Sequence, residues 1–519
     1  MDTLALTAKV ITFQQGAGLA CIAGSLFAVQ AAWRQSPLGQ ALVPLSRAMA
    51  WLVLCTVTLH ALAYVFYPTF QDHVEATVAS LGLQWLQGGE IYPPLDTHHV
   101  NGLLYGPALA EVNALGMLIW PSPIEGAKLP GVLGFLAALA LLSLRLLTHS
   151  SARLMLLWAA PFGLFLFFNR AEPFLLLCTV VALWAAHRIR LPWLQWGALG
   201  CLMGLASGFK LHGAAYVVMA WMAVAGVNAL HVKALVTVAM AAALTFLLLF
   251  APAGVSLEGF FHYLQLAGKH GLVARMVGEN LLFLLALWLP LLAWRFSRAN
   301  TAPRHGEPTD KIWLAVLLLQ VLLALVAAKR GAGLHHLIPL VPVNAWLLQA
   351  SLRTEEAPRG GAWLLHAMAI SFALTTGWKA AHEGQLMART WHARAEARAE
   401  LQQLGTTYPG LVLASGSTTA GDVLTHLRPL LQAQGVPQID YPAWLDLQLS
   451  GISTRPVLEA LTNCRIPHLA VARGEMPLRM VSSYTQRALF DEDIQKAVDA
   501  RYVLVTRHAW FDVLRCSRP

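Results

Sequence analysis

Asp72 and Glu75 stand three residues apart, just after an apolar run, at the head of the polar stretch PTFQDHVEATVASLGLQWLQGGEIYPPLDTHHVNGLLYGP (68–107). Residues three apart share one face of a helix, so the two carboxylates suit a general base and a partner that orients it. A solvated helix N-terminus, where acids favour the dipole, accounts for them equally well. Glu90, Asp96, His98 and His99 follow in the same stretch, among aromatics, Gly and Pro.

Three later polar breaks carry further candidates. In Asn169-Arg170-Ala171-Glu172-Pro173 a charged pair interrupts two apolar runs; charges at such depth are costly and mark functional sites, unless Arg170 and Glu172 simply satisfy one another. Gly208-Phe209-Lys210-Leu211-His212-Gly213 sets a cation between two apolar runs, either as a point charge for a phosphate or as a snorkelling lysine. Ala328-Lys329-Arg330-Gly331-Ala332-Gly333-Leu334-His335-His336 is a glycine-rich basic turn, whose amides and cations suit an anion. The double histidine is compatible with a divalent cation, but no CxxC, HExxH or comparable ligand spacing accompanies it, so no metal ligand is assigned and no cofactor is implied. There is no Walker loop, no GxGxxG after a strand and no GxSxG elbow.

These residues need a membrane to hold them. The 519-residue chain is 57% hydrophobic and 12% charged, where soluble domains carry roughly a quarter charged residues. The net charge of +9 fits Lys- and Arg-rich cytoplasmic loops; no nucleic acid is expected as a partner. About twelve spans of near bilayer length fall at 10–31, 48–67, 128–147, 153–169, 172–187, 192–209, 213–230, 233–251, 278–294, 311–328, 334–351 and 361–378. Arg34 with Arg47, Arg145 with Arg153, Arg188 with Arg190, Lys233, the 295–311 loop, and Arg353 with Arg359 occupy alternate connections. The positive-inside rule puts these in the cytoplasm and both termini outside. Residues 103–120 are apolar but carry Glu111 and Asn113, and are expected as an interfacial helix on the outer face. The expected division is a transmembrane catalytic domain over 1–380, with an outer loop at 68–127, and a small extracytoplasmic α/β domain over 381–519. TWHARAEARAELQQL reads as an amphipathic helix, and LVLAS, QID, HLAVA and YVLVT as short strands between helical runs. Cys464 and Cys516 in this tail could pair in an oxidising compartment, whereas Cys21, Cys55, Cys178 and Cys201 lie in apolar runs as inert small hydrophobes.

The order of these features resembles the GT-C superfamily of membrane glycosyltransferases, which use polyprenyl-phosphate-linked sugars. It comprises a span, an outer loop opening with Asp72, His73 and Glu75, then GGEIYPP and YGPALAEV, an Arg-x-acid-Pro break, GLASGFKLHG, KRGAGLHHLIPLVP and a terminal α/β domain. In style it is similar to bacterial aminoarabinose transferases of lipid A and protein O-mannosyltransferases. The resemblance covers most of 48–378. It implies an α-helical polytopic fold and Asp72 as the essential acid of the first outer loop. It further implies Glu75 as a catalytic helper and Glu172 as the second acid. His73, Tyr105, Arg170, Lys210, His212, Lys329, Arg330 and His335 would bind substrate. The implied partners are a polyprenyl-phosphate-sugar donor, a lipid, glycan or protein acceptor, and membrane lipids. The implied location is the bacterial inner membrane, with the active site outside. An extra span before the usual first one, and Asp-His-Val-Glu in place of an adjacent acidic pair, set this chain apart from the family pattern. An O-antigen-ligase or polymerase-like enzyme would use the same carrier from a long outer loop of Arg and His. A transporter or flippase would gather its polar residues near the bilayer midplane.

Overall fold

The computed structural model describes residues 37–100, 105–226, 229, 231–296, 308–352, 359–414, 424–482 and 485–517. The expected span 10–31, Arg34, Cys21 and Arg353 lie outside the described residues. Among the described residues, fourteen α-helices precede the first strand: α1 (Pro37–Phe66), α2 (His73–Leu86), α3 (Pro107–Ile119), α4 (Glu125–Leu141), α5 (Ser150–Leu154), α6 (Glu172–Arg188), α7 (Pro192–Phe209), α8 (Gly213–Ala225), α9 (Val232–Leu248), α10 (Leu257–Gly268), α11 (Ala274–Phe296), α12 (Asp310–Val326), α13 (Leu340–Leu352) and α14 (Arg359–Thr407). After them come β1 (Leu411–Leu413), α15 (Arg428–Ala433), α16 (Tyr441–Leu449), α17 (Arg455–Thr462), β2 (His468–Ala472), α18 (Glu492–Arg501), β3 (Tyr502–Arg507) and β4 (Phe511–Cys516).

Among the described residues, Val43–Phe66, Glu125–Leu146 and Ala274–Arg295 are long and apolar enough to cross a membrane. Their outward faces carry Leu and Trp side chains, such as Trp51, Leu52, Leu59 and Leu133, as a lipid-facing surface requires. The 13 residues of α3 reach only about 20 Å at 1.5 Å per residue, short of the roughly 30 Å hydrocarbon layer. Two expected spans take other forms. Residues 153–169 do not make one helix: α5 gives way to 3₁₀ turns at Met155–Trp158 and Ala160–Leu166. Pro161 has no N–H to give the ladder, and Gly163 adopts φ 56°. Lys379 from α14 takes up the Pro161 carbonyl at 2.8 Å, and Trp158 donates to Ala286 O at 2.9 Å, so the broken stretch is a buried plug. Residues 334–351 begin as a 3₁₀ turn, and the 13-residue α13 that follows is buried almost throughout; it is a core helix of sub-bilayer length.

Gly200 and Gly204 let α7 lie against α9: a Cβ on either would come within 2.6 Å of the α9 backbone. At the end carrying the expected cytoplasmic loops, Arg47 bonds Ser150 Oγ at 2.9 Å and Arg153 bonds Leu147 O at 2.6 Å. The basic amphipathic segment expected after residue 380 is continuous with the last apolar run, giving one 49-residue helix, α14.

The terminal sheet has order β1-β2-β4-β3, with β1 parallel to β2 and both β2–β4 and β3–β4 antiparallel. Two expectations need correction. FDVLRC is a strand, β4, and QID (438–440) is not. Gln438 instead serves the β1 edge by its side chain, accepting from Leu413 N at 2.9 Å and donating to Leu411 O at 3.1 Å. Cys464 and Cys516 form a disulfide, with Cα atoms 5.7 Å apart, and Cys178 is a buried free thiol. Cys55 and Cys201 are free and face outward.

Candidate functional site

Asp72 is the N-cap of α2, in extended backbone at φ −132°. Its Oδ1 accepts from Val74 N at 2.7 Å, satisfying an orphan amide of the first turn. Glu75 completes a capping box. The other Asp72 oxygen accepts from Arg170 Nη1 at 2.9 Å. Burial alone would raise the Asp72 carboxyl, but the Arg170 guanidinium and then His73 outweigh it and hold it well below the ordinary carboxylate value. His73 Nδ1 lies 3.6 Å from Asp72 Oδ1.

Arg170 is the hub. Its Nη2 donates to His335 Nε2 at 3.2 Å and to the Tyr105 hydroxyl at 3.4 Å, and Nε lies 3.5 Å from Glu172 Oε2. The guanidinium also sits over the Phe165 ring at 5.1 Å, on which His335 stacks in near-parallel fashion. Glu172, fully buried at the start of α6, receives Lys210 Nζ at 2.5 Å. Lys210 in turn donates to His336 Nε2 at 2.9 Å. Because that nitrogen accepts, the His336 proton belongs on Nδ1, which donates to Gly333 O at 3.1 Å. Burial, then Arg170, pushes His335 down to about 3, so this ring is neutral and accepts from the guanidinium. Burial, then Lys210, takes His212 to about 3 as well.

Backbone approach makes these contacts. Gly106 meets Gly208 so closely that a Cβ on Gly106 would lie 2.0 Å from Gly208 O, and Gly106 N donates to Phe209 O at 3.2 Å. That contact carries Tyr105 onto Lys210, whose ammonium is 4.8 Å from the ring centroid. Gly331 and Gly333 turn the chain after Arg330 at φ 82° and 154°, conformations open to glycine.

A cavity of about 170 Å³ opens beside this network. Its lining presents the cations Lys210, Lys329 and Arg330, the neutral rings of His212 and His336, Phe260 and Leu264 of α10, and Pro442 and Asp446 of α16. His73 and Tyr105 line it too. Of the residues singled out from sequence, Asp72, His73, Tyr105, Arg170, Glu172, Lys210, His212, Lys329, Arg330 and His335 meet here, directly or through one neighbour. Glu75 does not face the cavity; it is wholly buried behind Asp72, and burial pushes its carboxyl up to about 7. Glu90, Asp96, His98 and His99 do not line the cavity. His336, His270 and Asp446 also line the cavity, beyond the residues expected from sequence. His336 sits beside His335 in a motif already noticed, whereas nothing in the sequence around Asp446 connects it to a site some 370 residues earlier in the chain.

Glu172, His335 and His336 bring ligand atoms within 4.8 Å of one another, as a metal would require. The Lys210 ammonium already bridges Glu172 and His336, so a divalent ion would meet a positive charge among its own ligands. The residues present do not fit a metal there.

The architecture has known counterparts. The crystal structure of ArnT from Cupriavidus metallidurans bound to undecaprenyl phosphate superposes with a TM-score of 0.50 at 14% identity, covering 90% of this chain and 98% of that one. The fold is GT-C. The same ArnT in the apo state gives 0.48 at 13% identity over the same shares. No protein-family model matches the sequence, nor does any curated protein sequence. With the GT-C fold in hand, the helical body and the small terminal sheet domain expected from sequence are both present.

Proposed function

We propose that this chain is an integral membrane glycosyltransferase that moves a sugar from a polyprenyl-phosphate donor to an acceptor hydroxyl on the extracytoplasmic face, with inversion. The observation that carries the reading is a cavity lined by His73, the neighbour of the ionised Asp72, and by the cations Lys329 and Arg330. Lys329 and Arg330 line it, and no acidic side chain among the described residues pairs with either. A sugar held through phosphate already has a good leaving group, so the protein must supply a base for the acceptor hydroxyl and positive charge for the departing phosphate. Asp72 fills the first role, with Arg170 keeping it ionised. Lys329 and Arg330 fill the second, backed by Lys210. Glu172 acts through Arg170 and Lys210, which it holds in place. Attack opposite the phosphate inverts the anomeric carbon. A lipid-borne donor accounts for a site at the ends of apolar helices, and ArnT, with the same fold, has been crystallised with undecaprenyl phosphate.

The terminal domain is outside in this reading, as are the turns carrying Lys210 and Arg330, and the host membrane is the bacterial inner membrane. The acceptor is a lipid or glycan. The test is transfer of labelled sugar from polyprenyl-phosphate donors by the purified protein, with anomeric configuration read by NMR. Retention of configuration would remove the direct-displacement mechanism, and no transfer from any such donor would remove the activity.

A further inference from the structure

Glu75 shares a helix face with Asp72, yet its surroundings are of another kind. Oε1 accepts from the Tyr64 hydroxyl and from Asn169 N at 2.9 Å. Oε2 accepts from Gln71 N and Asp72 N, each at 3.0 Å. Above its raised value Glu75 is ionised; a carboxylate offers about four lone-pair sites, and here all are engaged. Such a group has no acceptor capacity left for a substrate proton, and it has no exposure to reach one.

What those donors belong to is informative. Two amides lie in the segment that carries Asp72, and the third is the residue before Arg170. Asn169 returns the contact, its Nδ2 donating to Glu75 O at 3.3 Å. Glu75 thus ties together the two backbones whose side chains form the 2.9 Å Asp72–Arg170 pair. The carbonyls of the same approach segment are held separately. Lys128, also wholly buried, donates to Tyr64 O, Tyr67 O and Thr69 O at 3.2, 2.6 and 2.8 Å. A buried carboxylate therefore gathers the amides of residues 71, 72 and 169, and a buried ammonium gathers carbonyls between 64 and 69. Neither ion faces the cavity.

We infer that Glu75 is a positioning residue, whose carboxylate clasps the backbone of Asp72 to that of Asn169 and so fixes the candidate base against Arg170. The catalytic part of this inference rests on the reading of Asp72 as base; the clasp itself does not.

The test separates the two. Hydrogen exchange by mass spectrometry, over peptides covering Gln71, Asp72 and Asn169, is compared at pH 8 between the wild-type protein, Glu75→Gln and Tyr64→Phe. A glutamine keeps one acceptor oxygen of two, so in Glu75→Gln these amides should exchange about tenfold faster or more. Sugar transfer should fall about a hundredfold, as misplacement of a reacting group by an ångström does, while affinity for undecaprenyl phosphate stays within about twofold, the cavity cations being untouched. Tyr64→Phe removes only one donor and should show the same pattern, about tenfold in transfer. It is the arm to read if the glutamine variant does not fold. Wild-type exchange rates at these amides in both variants would overturn the clasp. Unchanged exchange with transfer lost would overturn it too, by making Glu75 a group that acts on substrate. If wild-type protein transfers no sugar, the base reading falls, and the exchange rates still decide the clasp.

Discussion

The site has two groups of cations, in and beside the cavity, and they live differently. Arg170 and Lys210 are buried to about 95% and meet Asp72, Glu172, Tyr105, His335 and His336. Lys329 and Arg330, on the turn that leads to those histidines, are half-buried and exposed respectively, with no acidic partner among the described residues. A buried charge without a partner is costly, so the first pair is occupied internally and builds the frame. The second pair is exposed enough to remain hydrated until an anion arrives. One group holds the carboxylates in place; the other is available to ligand.

Five changes would break or sharpen that division. The largest effect is expected at the junction of frame and cavity: Asp72→Asn should cut sugar transfer by about 10²–10⁴-fold, and unimpaired transfer would remove Asp72 from the chemistry. Next comes Glu172→Gln, which strands Lys210 and Arg170 beside a neutral amide. Breaking a buried pair costs about 3–5 kcal/mol, so the unfolding temperature in detergent should drop sharply; a stable variant would show that the frame is not held by this carboxylate.

On the other side of the comparison, Lys329→Ala and Arg330→Ala should each weaken undecaprenyl-phosphate binding by about tenfold, the worth of one charge-assisted hydrogen bond. The unfolding temperature should not move. A loss of stability with unchanged binding would reverse the assignment of the two groups.

The smallest effect is on pH dependence. Because Asp72 is held below the ordinary carboxylate value, its contribution to stability, and the ionised form that the proposed base role needs, are fully present above about pH 4 and are lost only as pH falls through the depressed value. With Arg170→Gln, burial dominates and raises the carboxyl, so the acid limb of the residual transfer rate should move upward. An unshifted limb would mean that Arg170 does not set the ionisation of Asp72.

Much of this site was legible in the chain, because polar residues among apolar helices are conspicuous. Asp72, Arg170, Glu172, Lys210, Lys329, Arg330 and His335 all stand at breaks in hydrophobic runs. Their pairing was not legible. Whether Arg170 answers Glu172, two residues away, or Asp72, nearly a hundred residues earlier, depends on where the 167–171 turn lies. It answers both. The 153–169 segment misled for a related reason: its apolar composition suits a span and a buried plug equally, and Pro161 and Gly163 settled the matter through local geometry. The strand at 511–516 was missed because FDVLRC alternates weakly, and its place between β2 and β3 comes from pairing across the sheet.

The sequence by itself determined a helical membrane body, a terminal domain of different composition, and a set of ionisable groups confined to the ends of apolar runs. Water and hydrocarbon sort residues by type, and that sorting is written along the chain. Tertiary structure alone decided which charges would be consumed in pairs and which would stay available. It turned Glu75 inward, onto four donors, and paired Asp72 with Arg170 beside the cavity-lining His73. Helical spacing puts two side chains on one face; what each meets there is set by residues far away in sequence, because a buried ion is stable only where the rest of the fold supplies its partners.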